Sequence, residues 1–268
     1  MAGRGYKKEQ VSIPEHPLRY FLAGSLEAGC DEAGRGPMAG PVFAAAVVLP
    51  PTDAAQDTLF HPLLNDSKKM SLKARQEVRS FIMENALAWA VTWLSPEAID
   101  VLNILHASIK AMQMSVDVIM GKGVDEVLKP IREMERLVSA KRYGNKGEDF
   151  SAIPMINGMG KSGIISGGSH VTPQIVLVDG NRFSSYSVEY KCFVKGDARF
   201  AAISAASVLA KCFRDEYMAA AHEFYPQYGW NSNMGYPTKA HREAIANFGR
   251  SPLHRLSFRF EDEEPTLF

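Results

Sequence analysis

The sequence has few cysteines, no long apolar run and no net charge. Its three cysteines, Cys30, Cys192 and Cys212, stand far apart among 268 residues. We therefore expect neither a disulfide framework nor a zinc site of the CxxC type, and a reducing, cytoplasmic compartment fits best. The longest apolar run, 42–49, ends at Pro50 and is too short to span a bilayer. Because no apolar segment follows the basic residues near the start, no secretory signal is expected.

Charge and composition are those of a folded, globular protein. The chain has 30 Lys and Arg against 30 Asp and Glu, with 46% hydrophobic and 22% charged residues. This profile excludes a disordered chain and a polycationic nucleic-acid coat. A local basic groove stays allowed, because the field of a protein depends on where its charges lie.

Predicted strands and helices alternate along the chain, which indicates the α/β class. The strands are predicted at 26–32, 42–49, 88–94, 174–178 and 188–194. Ser71, Ser95 and Thr238 are predicted helix N-caps, and Ala201–Phe224 is predicted to be one long helix. Since a short Gly/Pro turn joins the first two strands, we expect them to pair antiparallel.

Residues 141–170 interrupt this alternation. Seven of these thirty residues are glycine, and no helical or strand period is visible, so the segment is predicted to be a flexible surface insertion or a long loop. It contains Gly158-Met159-Gly160-Lys161-Ser162, which is similar to part of a P-loop. That motif needs a glycine where Met155 stands and a strand before it, so we reject an NTPase.

Three carboxylates stand at the ends of predicted strands. Asp31, Asp179 and Asp197 each follow an apolar run and have glycine nearby, and α/β proteins place their sites at such ends. Carboxylates that converge repel one another, and a hard divalent cation, Mg²⁺ or Mn²⁺, relieves the repulsion. Glu32 becomes a fourth ligand if its strand ends near Gly34. A loop acid or helix cap is the ordinary alternative, and composition alone leaves the two evenly balanced.

Three further segments offer groups that bind phosphate or sugar. The segment 34–36, Gly-Arg-Gly, combines backbone N–H groups with a guanidinium. The segment 67–69, Ser-Lys-Lys, places a hydroxyl and two ammonium groups before a helix. Tyr236 lies in a Gly-Tyr-Pro-Thr turn, where its ring can stack on a sugar or base. A tight turn, a solvated charge pair and a core tyrosine are the ordinary explanations of these three segments.

Seven blocks follow one another in the order found in bacterial type 2 ribonuclease H (ribonuclease HII), which the sequence resembles over roughly 25–130 and 174–258. The blocks are GCDEAGRG (29–36), NDSKK (65–69), LNILHA (102–107), DGN (179–181), KGD (195–197), SAASVLAK (204–211) and GYPT (235–238) with His241. The resemblance implies a ribonuclease H-like fold, a mixed five-stranded sheet flanked by helices, with a C-terminal helical part. It divides the chain into a leader (1–24), a catalytic domain (25–224), the helical part (225–258) and an acidic tail (259–268).

The resemblance also implies an activity and a set of site residues. The family cleaves RNA in RNA–DNA hybrids and nicks duplex DNA on the 5′ side of an embedded ribonucleotide, leaving a 3′-hydroxyl and a 5′-phosphate. Gly34, Arg35 and Gly36 match its reader of the ribose 2′-hydroxyl, and Tyr236 matches the tyrosine that stacks on the neighbouring deoxyribose. Its ligands for Mg²⁺ or Mn²⁺ match Asp31, Glu32, Asp179 and Asp197, and its phosphate contacts match Ser67, Lys68, Lys69 and Asn103.

Three features depart from the family pattern. Met234 stands where the family usually has lysine, so one phosphate contact is lost or passes to Lys239. The segment 141–170 has no counterpart in compact members. The acidic tail ends in Leu267-Phe268, which loosely resembles a sliding-clamp-binding peptide, although a solvated tail is the favoured explanation. A non-catalytic protein that binds RNA–DNA junctions is the alternative function, and the four intact acids argue against it.

Overall fold

Six strands form one sheet, with helices on both of its faces. The computed structural model describes residues 14–52, 59–143 and 159–259, so the acidic tail beyond residue 259 lies outside the described residues. The strands are β1 (Glu27–Ala33), β2 (Val42–Val48), β3 (Ala88–Leu94), β4 (Gly163–Gly168), β5 (Ile175–Asp179) and β6 (Tyr190–Phe193). The helices are α1 (Leu72–Asn85), α2 (Pro96–Leu102), α3 (Ile104–Ile119), α4 (Val124–Tyr143), α5 (Ala201–Phe224), α6 (Trp230–Asn233) and α7 (Lys239–Phe248).

The sheet is mixed, with strand order β4-β3-β2-β1-β5-β6. β1 lies near its centre, antiparallel to β2 and parallel to β5, and β6 continues the parallel half. The predicted α/β class, the mixed sheet and the antiparallel pairing of the first two strands are confirmed. The predicted number of five strands is wrong, because β4 forms a sixth strand within segment 141–170 and pairs antiparallel with β3.

The glycines that predicted a loop are what allow β4 to pack. Gly163 lies opposite Trp93 and Gly167 lies opposite Trp89 across the β3–β4 pair. A Cβ atom on Gly163 would lie 2.2 Å from the Trp93 ring, and one on Gly167 would lie 2.8 Å from the Trp89 ring. Each indole therefore occupies the space of a missing side chain on the neighbouring strand.

We expect Gly163→Ala to destabilise the fold by about 1–3 kcal/mol, because its methyl group overlaps the buried Trp93 ring. The matched control is Ser166→Ala, which changes an exposed position of the same strand and should stay within about 0.5 kcal/mol of the parent. Urea unfolding of both variants measures the difference. Equal stabilities would show that Trp93 does not need this position to be glycine.

Helices cover both faces of β2, as its continuous apolar character predicts. Phe43 and Ala45 pack in the cluster that contains α5, whereas Val42 and Ala44 pack in the cluster that contains α3. On the α5 side the approach to β1 is very close, since a Cβ atom on Gly29 would lie 2.1 Å from the backbone of Ala202. This contact fixes the position of α5 beside the carboxyl end of β1.

The predicted helix ends are largely confirmed. Ser71, Ser95 and Thr238 each accept a hydrogen bond from a first-turn backbone N–H group, at Ala74, Ala98 and His241 respectively. α5 has the predicted bounds, and Gly249 ends α7. In the ranges that the structure describes, no helix is both long and apolar enough to cross a membrane.

The residues similar to a P-loop serve as structural contacts. The Lys161 ammonium lies 3.3 Å from Oε1 of the buried Glu97, and the Ser162 hydroxyl donates to Oε1 of Glu135 at 2.5 Å. The same hydroxyl accepts from the Ser95 backbone N–H at 2.8 Å. A strand follows these residues where a P-loop requires a helix, which supports the rejection of an NTPase.

Candidate active site

The four predicted ligands lie at the carboxyl ends of neighbouring segments of the sheet. Cys30 of β1 lies opposite Val178 of β5 in a parallel pair. Asp31 and Asp179 each follow by one residue, so they occupy the same level at this edge. Asp197 comes from the 3₁₀ turn Gly196–Ala198, shortly after β6, which is the next strand along.

Burial and mutual repulsion raise the pKa values of three of these acids. Asp31 is only 5% exposed, and its burial, followed by the charges of Glu32 and Asp179, raises its pKa well above the usual range. Burial and the charge of Glu32 raise the pKa of Asp179. Burial and the charge of Asp179 raise the pKa of Asp197. The acids therefore share one electrostatic field.

The chemistry of this donor set fits a hard divalent cation. All donor atoms are carboxylate oxygens, and a cation neutralises the charge that raises their pKa values. Among the described residues, no group of three or more His, Cys, Asp or Glu side chains already stands in a geometry that could hold a metal ion. The bonds that the acids accept instead are Asp31 from Glu32 N–H (2.7 Å), Asp179 from Gly196 N–H (2.6 Å), Asp197 from Ala198 N–H (2.9 Å) and Glu32 from Arg35 Nη1 (3.1 Å).

Two serines of α5 hold the segment 65–69 on this side of the sheet, and sequence reasoning gave neither of them a role. The Ser207 hydroxyl lies 2.9 Å from that of the buried Ser67, and its influence on Asp31 offsets part of the increase in the pKa of that carboxyl. The Ser204 hydroxyl donates to the carbonyl of Asn65 at 2.9 Å. Their spacing of three residues in the block 204–211 places both on one helix face, which was the available signal.

Lys68 lies within the field of the acids. Its partial burial alone lowers the pKa of its ammonium, but the charges of Asp31, Asp197 and nearby carboxylates raise that pKa overall. An ammonium so placed stays protonated and partly offsets the charge of the acids. Lys69 is exposed, and its backbone N–H donates to the carbonyl of Asp66 at 2.9 Å.

One cleft of about 310 Å³ brings most of the predicted substrate contacts together, and we call it the recognition cleft. Gly36 and Tyr236 face each other across it, since a Cβ atom on Gly36 would lie 3.3 Å from the Tyr236 ring. That ring is 49% exposed and open to stacking. The predicted residues in its lining are Glu32, Gly34, Arg35, Gly36, Ser67, Lys68 and Tyr236.

Asn103 and Lys69 do not line the recognition cleft. Asn103, with a φ of 58°, is the N-cap of α3. Its side-chain oxygen accepts from the backbone N–H groups of Leu105 at 3.1 Å and His106 at 3.2 Å. The position of Asn103 is therefore explained by helix capping, and its predicted phosphate contact stays a prediction.

A buried arginine from the C-terminal segment holds the Gly-Arg-Gly loop from behind. Arg255 is 0% exposed and donates to the carbonyls of Gly34 at 2.6 Å, Gly40 at 3.0 Å and Arg35 at 3.1 Å. Because more than 210 residues separate these partners, no local pattern points to this contact. The geometry makes Arg255 a positioning residue for the loop.

Arg214 of α5 connects the same loop to the Tyr236 turn. Its Nη2 donates to the carbonyl of Met234 at 2.8 Å. Its Nε lies where a Cβ atom of Gly34 would be, 2.1 Å away, so this position, with a φ of 95°, requires glycine. The main chain of Met234 thus holds the turn although its side chain lacks the ammonium of the family's lysine.

His241 fixes the backbone of Tyr236. The indole N–H of Trp230 lies 3.0 Å from Nε2 of His241, and an indole nitrogen can only donate. Nε2 therefore accepts, and Nδ1 carries the proton that it donates to the Tyr236 carbonyl 2.9 Å away. Burial lowers the pKa of His241, and burial together with any charge on His241 lowers the pKa of the adjoining His254 to about 3, so both rings favour the neutral form.

Known proteins similar to this chain agree on one family. A family model described as Ribonuclease HII matches residues 28–145 and 155–260. Ribonuclease HII of Bacteroides thetaiotaomicron is 40% identical over 242 residues, which cover 90% of this chain and 93% of that protein. Ribonuclease HII of Parabacteroides distasonis is 40% identical over 251 residues, which cover 93% and 98%.

Two solved structures show a similar fold. The crystal structure of the ribonuclease H2 from Pyrococcus horikoshii OT3 has a TM-score of 0.54 at 20% identity and covers 87% of this chain and 93% of its own. The structure of the PCNA:RNase HII complex from Archaeoglobus fulgidus contains a chain with a TM-score of 0.52 at 19% identity, covering 89% and 98%. With the matched family model and the curated relatives, these findings establish that the chain belongs to the ribonuclease HII family and is a type 2 ribonuclease H, a hydrolase.

Proposed function

We propose that this enzyme cleaves RNA in RNA–DNA hybrids and nicks duplex DNA on the 5′ side of an embedded ribonucleotide, leaving a 3′-hydroxyl and a 5′-phosphate. One observation carries the proposal: the Gly-Arg-Gly loop and Tyr236 share the recognition cleft with Glu32, one of the four acids. The loop and the tyrosine that we assign to the sugar therefore lie beside one of the acids that we assign to the metal.

We assign Asp31, Glu32, Asp179 and Asp197 as the residues that would hold Mg²⁺ or Mn²⁺. A divalent cation held by these residues would supply an activated water and would stabilise the leaving 3′-oxygen of a phosphodiester. The acids contribute carboxylate oxygens at a buried site, where burial first and the charges of neighbouring acids second raise the pKa values of Asp31, Asp179 and Asp197.

Recognition of the ribonucleotide is assigned to the loop 34–36 and to Tyr236. The 2′-hydroxyl is the group that distinguishes RNA from DNA, and a backbone sensor can read it without reading the base. The missing side chain of Gly36 lets the Tyr236 ring approach the loop. Lys68, together with Ser67, offers a phosphate contact at the wall of the cleft.

The proposal is tested with magnesium and a duplex that carries one ribonucleotide in an otherwise deoxy strand. We expect a single nick immediately 5′ of the ribonucleotide, and no cleavage of the all-DNA duplex or after chelation of the metal. Mapping the products on a sequencing gel and testing the 3′ end for extension by a polymerase check the position and the free 3′-hydroxyl. Tight binding without any metal-dependent cut would instead support the non-catalytic junction-binding alternative.

Other assignments stay predictions. Lys69 and Asn103 are kept as phosphate contacts that the recognition cleft does not include. The Leu267-Phe268 ending lies outside the described residues; its binding to a sliding clamp is proposed on its loose resemblance to a clamp-binding peptide, and the Archaeoglobus fulgidus protein, which was solved in complex with PCNA, supports it. The cytoplasmic location is inferred from the low cysteine content alone.

A further inference from the structure

A second cavity adjoins the acids. Its volume is about 290 Å³, and Asp179 forms part of its wall. It shares Glu32 and Arg35 with the recognition cleft. These two side chains, joined by a hydrogen bond of 3.1 Å, therefore separate two cavities that meet at the acid cluster.

The lining of the second cavity suits a nucleotide. Its lining is mostly polar, and Leu105, Ile109 and Met112 of α3 add a smaller apolar part beside Ser108. Its rim carries Asn181 and Arg182, which follow Asp179 directly in sequence. A sugar-phosphate unit offers hydroxyls and phosphate oxygens to such a lining, and an amide and a guanidinium bind phosphate oxygens.

Arg182 has no use within the fold itself. It is exposed, and among the described residues no ion pair, hydrogen bond or ring contact involves its guanidinium. The other charged groups facing this cavity are Glu32, Arg35 and Asp179, of which the first two are already paired. An unpaired cation at the mouth of a cavity beside a catalytic centre is placed to bind an anionic ligand.

We propose that the second cavity is a subsite for the nucleotide on the 5′ side of the cut, with Arg182 contacting the phosphate 5′ of that nucleotide. This inference rests on the proposed function. If the recognition cleft holds the ribonucleotide, the phosphate on its 5′ side reaches the acids. The strand then continues in the 5′ direction past Glu32 and Arg35 into the second cavity.

Steady-state kinetics on two duplexes test the subsite. In the long-flank duplex several deoxynucleotides precede the ribonucleotide, and in the short-flank duplex a single unphosphorylated deoxynucleotide does, so the contacted phosphate is missing. We expect Arg182→Ala to raise KM for the long-flank duplex about tenfold, with kcat within about threefold, because one phosphate contact is lost. For the short-flank duplex the variant and the parent should have the same KM.

Salt dependence and two further variants sharpen the test. For the long-flank duplex, the slope of log affinity against log salt should be shallower in Arg182→Ala by the amount that about one phosphate contact contributes. Arg182→Lys should recover part of the lost affinity. The matched control is Arg136→Ala. Arg136 is an exposed residue of α4, and α4 packs against β4 at the opposite edge of the sheet. It should behave as the parent.

The outcomes separate the subsite from the proposed function. An equal rise in KM for both duplexes, or no rise for either, overturns the subsite while the parent still nicks at the ribonucleotide. Failure of the parent to cut any ribonucleotide-containing duplex overturns the proposed function itself. If Arg182→Ala unfolds at the same temperature as the parent, a loss of fold is excluded as the cause of its higher KM.

Discussion

Asp31→Asn is expected to lower kcat by at least about a thousandfold and to leave duplex affinity within about threefold of the parent. Asp31 lies at the centre of the acid cluster, buried between Glu32 and Asp179. Asparagine keeps the shape and the oxygen that accepts the Glu32 N–H bond, but it removes the charge that a metal ligand must supply. Single-turnover cleavage and a binding titration separate the two effects.

The same variant should be more stable than the parent when metal is absent. Burial raises the pKa of Asp31, so its charged form costs folding free energy at neutral pH, and that cost grows as the pH rises through the raised pKa. The stability advantage of Asp31→Asn should therefore be larger at pH 8 than at pH 5, as measured by thermal unfolding with a chelator present.

A matched control comes from the other end of the sheet. Asp125 is an acid of α4 whose side chain is 90% exposed, so Asp125→Asn should change neither kcat nor the pH dependence of stability. A kcat of Asp31→Asn within tenfold of the parent would contradict the ligand assignment. Equal stability of Asp31→Asn and the parent at both pH values would contradict the electrostatic account.

The convergence of the acids was predictable because it follows from sheet geometry. Apolar runs that end in aspartate predicted that Asp31 and Asp179 lie at strand ends, and parallel pairing of β1 with β5 places them side by side. The helix N-caps were equally predictable, since the side-chain oxygens of Ser71 and Thr238 that accept the capping hydrogen bonds follow from the residue types themselves. Local chemistry with a fixed geometry can be inferred from one sequence.

Contacts between segments that are distant in the sequence were not predictable. β4 was missed because its glycines resemble those of a loop, and only the facing indoles of Trp89 and Trp93 explain them. Arg255 was missed because a carbonyl acceptor has no sequence signature. Ser207 lay within a matched block, but its two neighbours, Asp31 and Ser67, come from separate segments.

Arg255→Met is expected to destabilise the protein by about 3–5 kcal/mol, because a fully buried side chain then no longer donates to the carbonyls of Gly34, Arg35 and Gly40. For a chain of this size each kcal/mol lowers Tm by roughly 2–4 °C, so the expected decrease is on the order of 10 °C. Methionine fills much of the volume, which isolates the loss of hydrogen bonds. Arg242→Met, an exposed change on α7, is the control and should unfold with the parent.

If Arg255 positions the loop, its loss should also lower activity in the protein that is still folded. Below the unfolding temperature of the variant, Arg255→Met should still bind duplex but should lower kcat/KM on a ribonucleotide-containing duplex by about 10–100-fold, since Arg255 holds the loop that is assigned to read the 2′-hydroxyl. Arg255→Lys keeps the charge but not the fork of three donors, so its kcat/KM should lie between those of Arg255→Met and the parent. If Arg255→Met lost stability while its kcat/KM stayed that of the parent, Arg255 would support the fold without positioning the loop.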